Sequence, residues 1–236
     1  MNENQLSKRL ERVGELVPEH SRLADIGSDH AYLPAALVLQ KKIAFAVAGE
    51  VVEGPYQAAK KQVRKNGLEE QITVRLADGL AAVETADQIS AVTICGMGGA
   101  LIRDILDAGW KNQRLAGNER LILQPNIGEK TLRDWLTVHG YTILEEDIIE
   151  ENKKIYEIIV AKRETTRIAY SEKERRFGPI LLNKRSEVFQ KKWQRELKQR
   201  ETILAQLEKA AGDPQEKIVQ LQKEILEIQE VLSNES

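Results

Sequence analysis

The stretch Ala24-Asp25-Ile26-Gly27-Ser28-Asp29-His30-Ala31-Tyr32-Leu33-Pro34 decides the fold. Leu23 to Ile26 reads as a short strand that Gly27 breaks, and Pro34, near a first turn, opens a helix running to Lys42. A strand passing directly into a helix is the unit of an open α/β sheet. Such sheets bind ligands beyond the carboxyl ends of their strands, at the point where strand order reverses. Gly27 allows a ligand to approach the backbone closely. The loop is not G-x-G-x-x-G, because Asp29 stands where the second glycine would be, and Asp25 and Asp29 would repel a pyrophosphate. The competing reading is a turn whose Ser and Asp residues cap the helix.

The same grammar extends in both directions. Leu6, Leu10, Val13 and Val17 have helical spacing, and Pro18 ends that helix. Ile43 to Ala48 is an apolar strand ending at Gly49-Glu50, and Pro55 to Asn66 is a helix stopped by Gly67. Ile72 to Leu76 alternates as a strand before the turn Asp78-Gly79. Ala91 to Cys95 is a buried strand followed by Gly96-Met97-Gly98-Gly99, and Leu101 to Ala108 is a helix. Leu121 to Leu123 is a strand and Glu129 to His139 a helix. Five β-then-α repeats predict a parallel sheet with right-handed crossovers and helices on both faces. Tyr141 to Ile149 and Ile155 to Lys162 leave no room for a helix between them, so an antiparallel hairpin closes the sheet at its edge. The expected fold is α/β, the Rossmann-like sheet of class I methyltransferases.

The grammar changes near Thr166. Leu182, Phe189, Trp193, Leu197, Leu204 and Leu207 form one heptad-like run, and Ile218, Leu221, Ile225, Ile228 and Leu232 form another, with Gly212-Asp213-Pro214 as the turn between them. Residues 1–166 are thus expected to form a catalytic domain able to fold without the tail. Residues 167–236 are expected to form an antiparallel coiled-coil hairpin, a solvated arm. Net charge over all 236 residues is −2, so global charge selects no partner, but residues 173–200 carry ten basic and three acidic side chains. One cysteine excludes a disulfide framework, three scattered histidines argue against a metal site, and no apolar run is long enough to span a membrane. The polar start, Met1 to Gln5, has no signal-peptide core, so a cytoplasmic location is expected. The oligomeric state stays open, a monomer being the simpler expectation.

Chemistry concentrates at the strand ends. Asp25, Glu50 and Asp78 end three successive strands. A carboxylate at Glu50 can accept both hydroxyls of a ribose, and one at Asp78 can accept an adenine amine, with Gly79 giving the base room. Two carboxylates in the first loop suit a cation with an amino-acid moiety. S-adenosylmethionine has all three parts. Each acid alone reads equally well as a cap. The glycine loop after the fourth strand lies where a methyl group and its acceptor would meet, with Met97 against a flat ring or in the core. Cys95 ends that strand, and no cysteine chemistry is needed there.

Asp25-Ile26-Gly27-Ser28-Asp29-His30-Ala31-Tyr32-Leu33-Pro34, Ala48 to Pro55, Asp78-Gly79-Leu80, Cys95-Gly96-Met97-Gly98-Gly99 and Leu123-Gln124-Pro125-Asn126 together resemble the bacterial tRNA (adenine-22 N1)-methyltransferase family. The resemblance runs from Leu6 to about Val160, with a helical hairpin following as in that family. It implies methyl transfer from S-adenosylmethionine to N1 of adenine 22 in tRNA. The cofactor-binding set it implies is Asp25, Gly27, Ser28, Asp29, Glu50, Val51, Asp78, Gly79, Gly96, Met97 and Gly98. The acceptor side falls to Asp29, aided by His30 and Tyr32, with Asn126 bonding a flipped base; Asp29 holding the cofactor's ammonium and Asn126 as a plain turn residue are the alternatives. Phosphate contacts are expected from Arg9, Arg175, Arg176, Lys184, Arg185, Lys191, Lys192, Arg195 and Lys198, against a solvated ion-paired helix face. Two other readings compete: a class I methyltransferase for a small molecule or another RNA, and a non-enzymatic RNA-binding protein that works through its coiled coil.

Overall fold

The computed structural model describes residues 5–208 and 215–233. Its elements alternate as α1 (Lys8–Leu16), β1 (Arg22–Ile26), α2 (Tyr32–Leu39), β2 (Phe45–Glu50), α3 (Glu53–Lys65), β3 (Ile72–Leu76), β4 (Ala91–Gly98), α4 (Gly99–Lys111), β5 (Arg120–Ile127) and α5 (Glu129–Val138). The hairpin β6 (Tyr141–Glu151) and β7 (Lys154–Arg163) follows, then α6 (Glu172–Phe177), α7 (Pro179–Lys184), α8 (Glu187–Leu207) and α9 (Gln215–Ser233). The seven-stranded sheet has the order β3-β2-β1-β4-β5-β7-β6. Strands β1 to β5 pair in parallel, and β7 pairs antiparallel with both β5 and β6. The order reverses between β1 and β4, which opens a crevice at their carboxyl ends.

Period-two burial builds a core on each face. Ala24, Ile26, Val92, Ile94, Leu121 and Leu123 face α4 and α5 through Ile102, Leu106, Leu132 and Leu136. Leu23, Ala46, Ala48, Ala91 and Ile122 face α1, α2 and α3 through Val13, Leu16, Leu33, Leu37 and Val63. Each such buried aliphatic side chain stabilises the fold by about 1.5–3 kcal/mol relative to exposure. The strands therefore hold their ends in a fixed register, and those ends carry the site.

Two strands outrun their expected limits. β4 continues through the glycines to Gly98, with register shifts between Cys95 and Met97 and between Met97 and Gly98. β5 continues to Ile127, so Asn126 lies in a strand and not in a turn after Pro125. Both extensions arise because the ends of β4 and β5 still pair with each other.

The tail also differs from a uniform hairpin. Leu182 belongs to the short helix α7, which Arg185 ends in a left-handed conformation, so it does not open the long heptad run. Helices α8 and α9 run antiparallel, tied by Arg200 to Glu224 at 3.0 Å and by the Arg185 guanidinium on the Val231 carbonyl at 2.6 Å. The turn expected at 212–214 lies outside the described residues. The base of the tail is no solvated arm: Phe177, Leu181, Phe189, Trp193, Ile228 and Val231 bury Ile148 of β6, with Ile155 of β7 packed alongside.

A buried charge network reinforces that packing. Arg133 of α5, fully buried, bonds Glu146 at 2.7 Å and Glu157 at 2.5 Å. Glu157 also takes Lys192 of α8 at 2.7 Å, and Lys192 reaches Glu129 at 2.5 Å. Glu146 accepts the Ile180 main-chain N–H at 2.9 Å. Burial opposes ionisation of Glu157, but Lys192 and Arg133 prevail and hold its carboxyl below the usual range. Burial likewise prevails over Arg133 at Glu146 and raises that carboxyl. Removing one member of such a network leaves an uncompensated buried charge.

Candidate active site

Asp25 lies at the end of β1, buried, between two hydroxyls: Ser28 Oγ and Thr93 Oγ1 each donate to it at 2.6 Å. Burial raises its carboxyl above the ordinary range, and the two hydrogen bonds offset part of that rise. Thr93 was not expected here; a hydroxyl within the run Ala91-Val92-Thr93-Ile94 is the only sign in the sequence. The chain then turns sharply. Gly27 has φ +68°, and a Cβ there would stand 2.0 Å from Met97 Cε, so Met97 seats on the glycine itself. Asp29, His30 and Ala31 follow at φ 43°, 69° and 56°, three consecutive side-chain-bearing residues in the left-handed region, where each costs about 1–2 kcal/mol. Surrounding contacts must pin such a turn, and turns of this kind gather at functional sites. Ala31 is buried, while Asp29 projects with its side chain 73% exposed. Asp29 Oδ1 lies 3.6 Å from His30 Nε2, and the His30 and Tyr32 rings stack at 5.3 Å.

Glu50 ends β2 facing this turn. It is buried, it receives the Asp29 main-chain N–H, and its Oε1 has no partner. Burial raises its carboxyl, and the charges of Asp25 and Asp29 add to the rise. An orphaned buried carboxylate oxygen is costly, and a ligand bringing hydroxyl donors would relieve it. Val51, beside it, is exposed. Asp78 is exposed at the end of β3 and, with Gly79, Leu80, Leu101 and Ile105, lines a cavity of about 570 Å³. Asp25 in β1, Glu50 at the end of β2 and Asp78 two residues beyond β3 thus stand in order along neighbouring strands.

Across β1 stands the glycine loop. Gly96 N–H donates to Gln124 Oε1 at 3.0 Å, and Asn126 Nδ2 donates to the Gly96 carbonyl at 2.7 Å. Two β5 side chains therefore hold both sides of one glycine. Gln124 is fully buried, donates to the Pro125 carbonyl at 2.7 Å, and accepts from the Arg9 guanidinium. Gln124 was missed as a site residue, though an amide ending the apolar run Leu121-Ile122-Leu123 marks it. A Cβ on Gly99 would stand 2.2 Å from the Gly128 carbonyl, so the turn after β5 rests directly on the start of α4. Burial pushes the Cys95 thiol upward, and Asp25 adds to the rise, which keeps it protonated.

Several of the expected phosphate ligands are committed inside the protein. Arg9 lies under the glycine loop on Gln124 and over the Tyr156 ring at 5.4 Å. Lys192 is in the buried network, and Lys184 bonds the Glu146 carbonyl at 3.0 Å. Arg185 caps the end of α9, Arg176 pairs with Glu227 at 3.2 Å, and Arg175 pairs with Asp134 at 2.8 Å. In each case a carboxylate, a carbonyl or an amide of the protein holds the cation that a phosphate would need. Lys191, Arg195 and Lys198 are exposed on α8; Lys191 and Arg195 share Glu150, at 2.5 and 3.1 Å. Between α8 and the turn after β5 runs a groove of about 600 Å³, with Asn126, Ile127, Lys130, Trp193, Arg195 and Arg200 on its walls. Among the described residues no helix is long and apolar enough to cross a membrane, and no group of three His, Cys, Asp or Glu could hold a metal ion.

Comparison with known proteins gives a consistent picture. The family model for tRNA (adenine(22)-N(1))-methyltransferase matches residues 23–230. The Bacillus subtilis tRNA (adenine(22)-N(1))-methyltransferase is 44% identical over 236 residues, covering 98% of this chain and 97% of its own. A Streptococcus pneumoniae protein ascribed to tRNA (m1A22) methylation, solved in complex with S-adenosyl-L-methionine, is 48% identical with a TM-score of 0.88, covering 97% of this chain and 100% of its own. An M. capricolum relative solved with S-adenosyl-homocysteine is 31% identical with a TM-score of 0.84, covering 96% and 97%.

Proposed function

Because the chain belongs to the tRNA (adenine(22)-N(1))-methyltransferase family, we infer that it methylates N1 of adenine 22 in tRNA, with S-adenosylmethionine as donor. The observation that carries the cofactor's place is the partnerless buried oxygen of Glu50, which matches the paired donors of a ribose diol. Asp78 and Gly79, in their cavity, suit the purine and its amine. The loop from Gly27 to Asp29, with Ser28 tied to Asp25, suits the amino-acid end. Val51 borders the ribose side, and Gly96 to Gly98 border the sulfur side. Bound there, S-adenosylmethionine supplies an electrophilic methyl carbon on a sulfonium.

The acceptor needs little covalent help. Adenine N1 carries a lone pair in the ring plane and attacks in line, so positioning supplies most of the rate. The product is a cation that loses a proton from its exocyclic amine more readily beside an acceptor. Asn126 spends its amide N–H on Gly96 and keeps Oδ1, 3.5 Å from Gln124 Nε2, as an acceptor for that amine. Asp29 is the exposed carboxylate that receives the proton, and the stacked His30 and Tyr32 offer the base a flat wall. Residues 1–166 hold the cofactor and the chemistry; residues 167–236 bring Lys191, Arg195 and Lys198 to the tRNA backbone along the groove that starts at Asn126. One chain assembles the whole site, so a monomer suffices, and the substrate places the work in the cytoplasm.

The test is direct. Unmodified tRNA is incubated with the protein and labelled cofactor, and the methyl group is mapped by primer extension. A methyl on N1 blocks pairing, so a stop at adenine 22 is expected. Labelling without that stop would overturn the assignment.

A further inference from the structure

Five large apolar side chains stand exposed along the rim at the carboxyl ends of the strands: Val51, Val52, Leu76, Leu101 and Ile127. Four border the cofactor side. Val51 and Val52 follow Glu50, Leu76 is the register partner of Glu50, and Leu101 shares the cavity of Asp78 and Gly79. Ile127 alone is on the acceptor side. It follows Asn126 directly, it is 72% exposed, and it forms part of the groove with Lys130, Arg195 and Arg200.

The backbone beneath Ile127 is firmly held. It pairs with Gly98 across β4, and a Cβ on Gly99 would stand 3.0 Å from its carbonyl. A branched apolar side chain on a fixed backbone loses little conformational freedom on contact, and here most of it is left open to solvent. It stands one residue from the amide assigned to the target base.

N1 of adenine lies on the pairing edge of the base, inside the stack of a folded RNA. Methylation requires the nucleotide to leave that stack, and the gap left behind exposes the faces of its neighbours. A rigid apolar side chain that enters the gap restores their contact. Resting on the tRNA reading above, we propose that Ile127 is a wedge: it fills the position vacated by adenine 22 while Asn126 receives the extruded base. Arg195, exposed on the same groove, is the cation nearest to hand for a flanking phosphate. Ile127 is thus a positioning residue whose effect depends on the RNA being stacked.

The test uses two transcripts in single-turnover methylation: the intact tRNA, and the same tRNA with an abasic linker opposite adenine 22, so that extrusion is already cheap. Ile127→Ala should keep the parent's thermal stability and cofactor affinity, be slower than the parent by about tenfold or more on the intact tRNA, and stay within about twofold on the abasic one. Ile127→Leu should restore most of the rate. Equal rates for Ile127→Ala and parent on intact tRNA would overturn the wedge, as would an equal loss on both transcripts. A parent that leaves no primer-extension stop at adenine 22 instead fails the functional reading itself.

Discussion

Lys192 of α8 bonds Glu129, the first residue of α5, at 2.5 Å. Glu129 stands three positions beyond Asn126, so the C-terminal helices are fastened just past the end of the strand that carries Asn126. The same ammonium holds the buried carboxylate of Glu157.

Lys192→Met keeps most of the apolar stem and removes the charge. It should cost about 3–5 kcal/mol in chemical denaturation, because Glu157 then keeps only Arg133. The pH dependence has a definite sign. The folded-state pKa of Glu157 is lowered, so its contribution is present above the ordinary glutamate pKa and is lost as pH falls through the folded value. The parent should lose stability through that acid window, and Lys192→Met should show a shallower loss. Parent-like denaturation curves for the variant would contradict the network.

Glu50→Gln should separate binding from stability. It removes a charged acceptor from the ribose, so cofactor affinity should fall by about 1–3 kcal/mol in calorimetry. Its melting temperature should match or exceed the parent's, since a buried carboxylate with an unpartnered oxygen is a cost to the fold. The Glu50 pKa is raised, so the parent's affinity should grow as pH rises from the ordinary glutamate range through that value, with proton release on binding. Glu50→Gln should lose this limb. Unaltered affinity in the variant would remove Glu50 from the cofactor site.

Gln124→Ala strips the acceptor from Gly96 N–H and from Arg9. Single-turnover methylation should slow by about ten- to a hundredfold, because misplaced reacting groups forfeit much of the positioning advantage. Cofactor affinity should change far less. Gln124→Glu keeps an oxygen for both donors and should recover part of the rate. An equal loss in both variants would show that the acceptor is not what matters.

Lys191→Glu with Arg195→Glu probes the outer face of α8 without touching Lys192. The double variant should still fold, with a small loss of stability from the exposed pairs with Glu150. Binding to tRNA should weaken, and the slope of log affinity against log salt should shrink by roughly 0.7–0.9 for each phosphate that is no longer neutralised. An unchanged slope would move the RNA path off this face. Deleting residues 167–236 is no clean substitute, because it uncovers Ile148 and takes Lys192 from Glu157.

The strand-end acids were legible because each adjoins a local break: Gly27 after Asp25, Gly49 before Glu50, Gly79 after Asp78. Those signals lie within a few residues of what they position. The network of Arg133, Glu146, Glu157 and Lys192 was not legible. Its members come from a helix, two strands and another helix, and Lys192 is 35 residues from Glu157. A lone Lys in a charged heptad reads as solvated, and only the packing of α8 on β6 and β7 buries it. The bond from Arg9 to Gln124 is hidden from the sequence for the same reason, its partner being 115 residues away. The left-handed turn over Asp29, His30 and Ala31 gave no sign, since Ala31 has no preference for that conformation.

The bond from Thr93 to Asp25 joins residues 68 apart in sequence. It lies on the β1–β4 pair, whose second strand follows β2 and β3 in the chain and sits on the opposite side of β1 from them. Closing so long a loop is entropically unfavourable until the flanking strands are in place. The cleft proposed for the cofactor straddles this pair. A nascent chain lacking β4 has Asp25, Glu50 and Asp78 but neither the Thr93 hydroxyl nor the glycine loop, so it offers S-adenosylmethionine only half a seat. With the cofactor seated as proposed, S-adenosylmethionine binding is expected to appear during synthesis only once the central strand pair has closed.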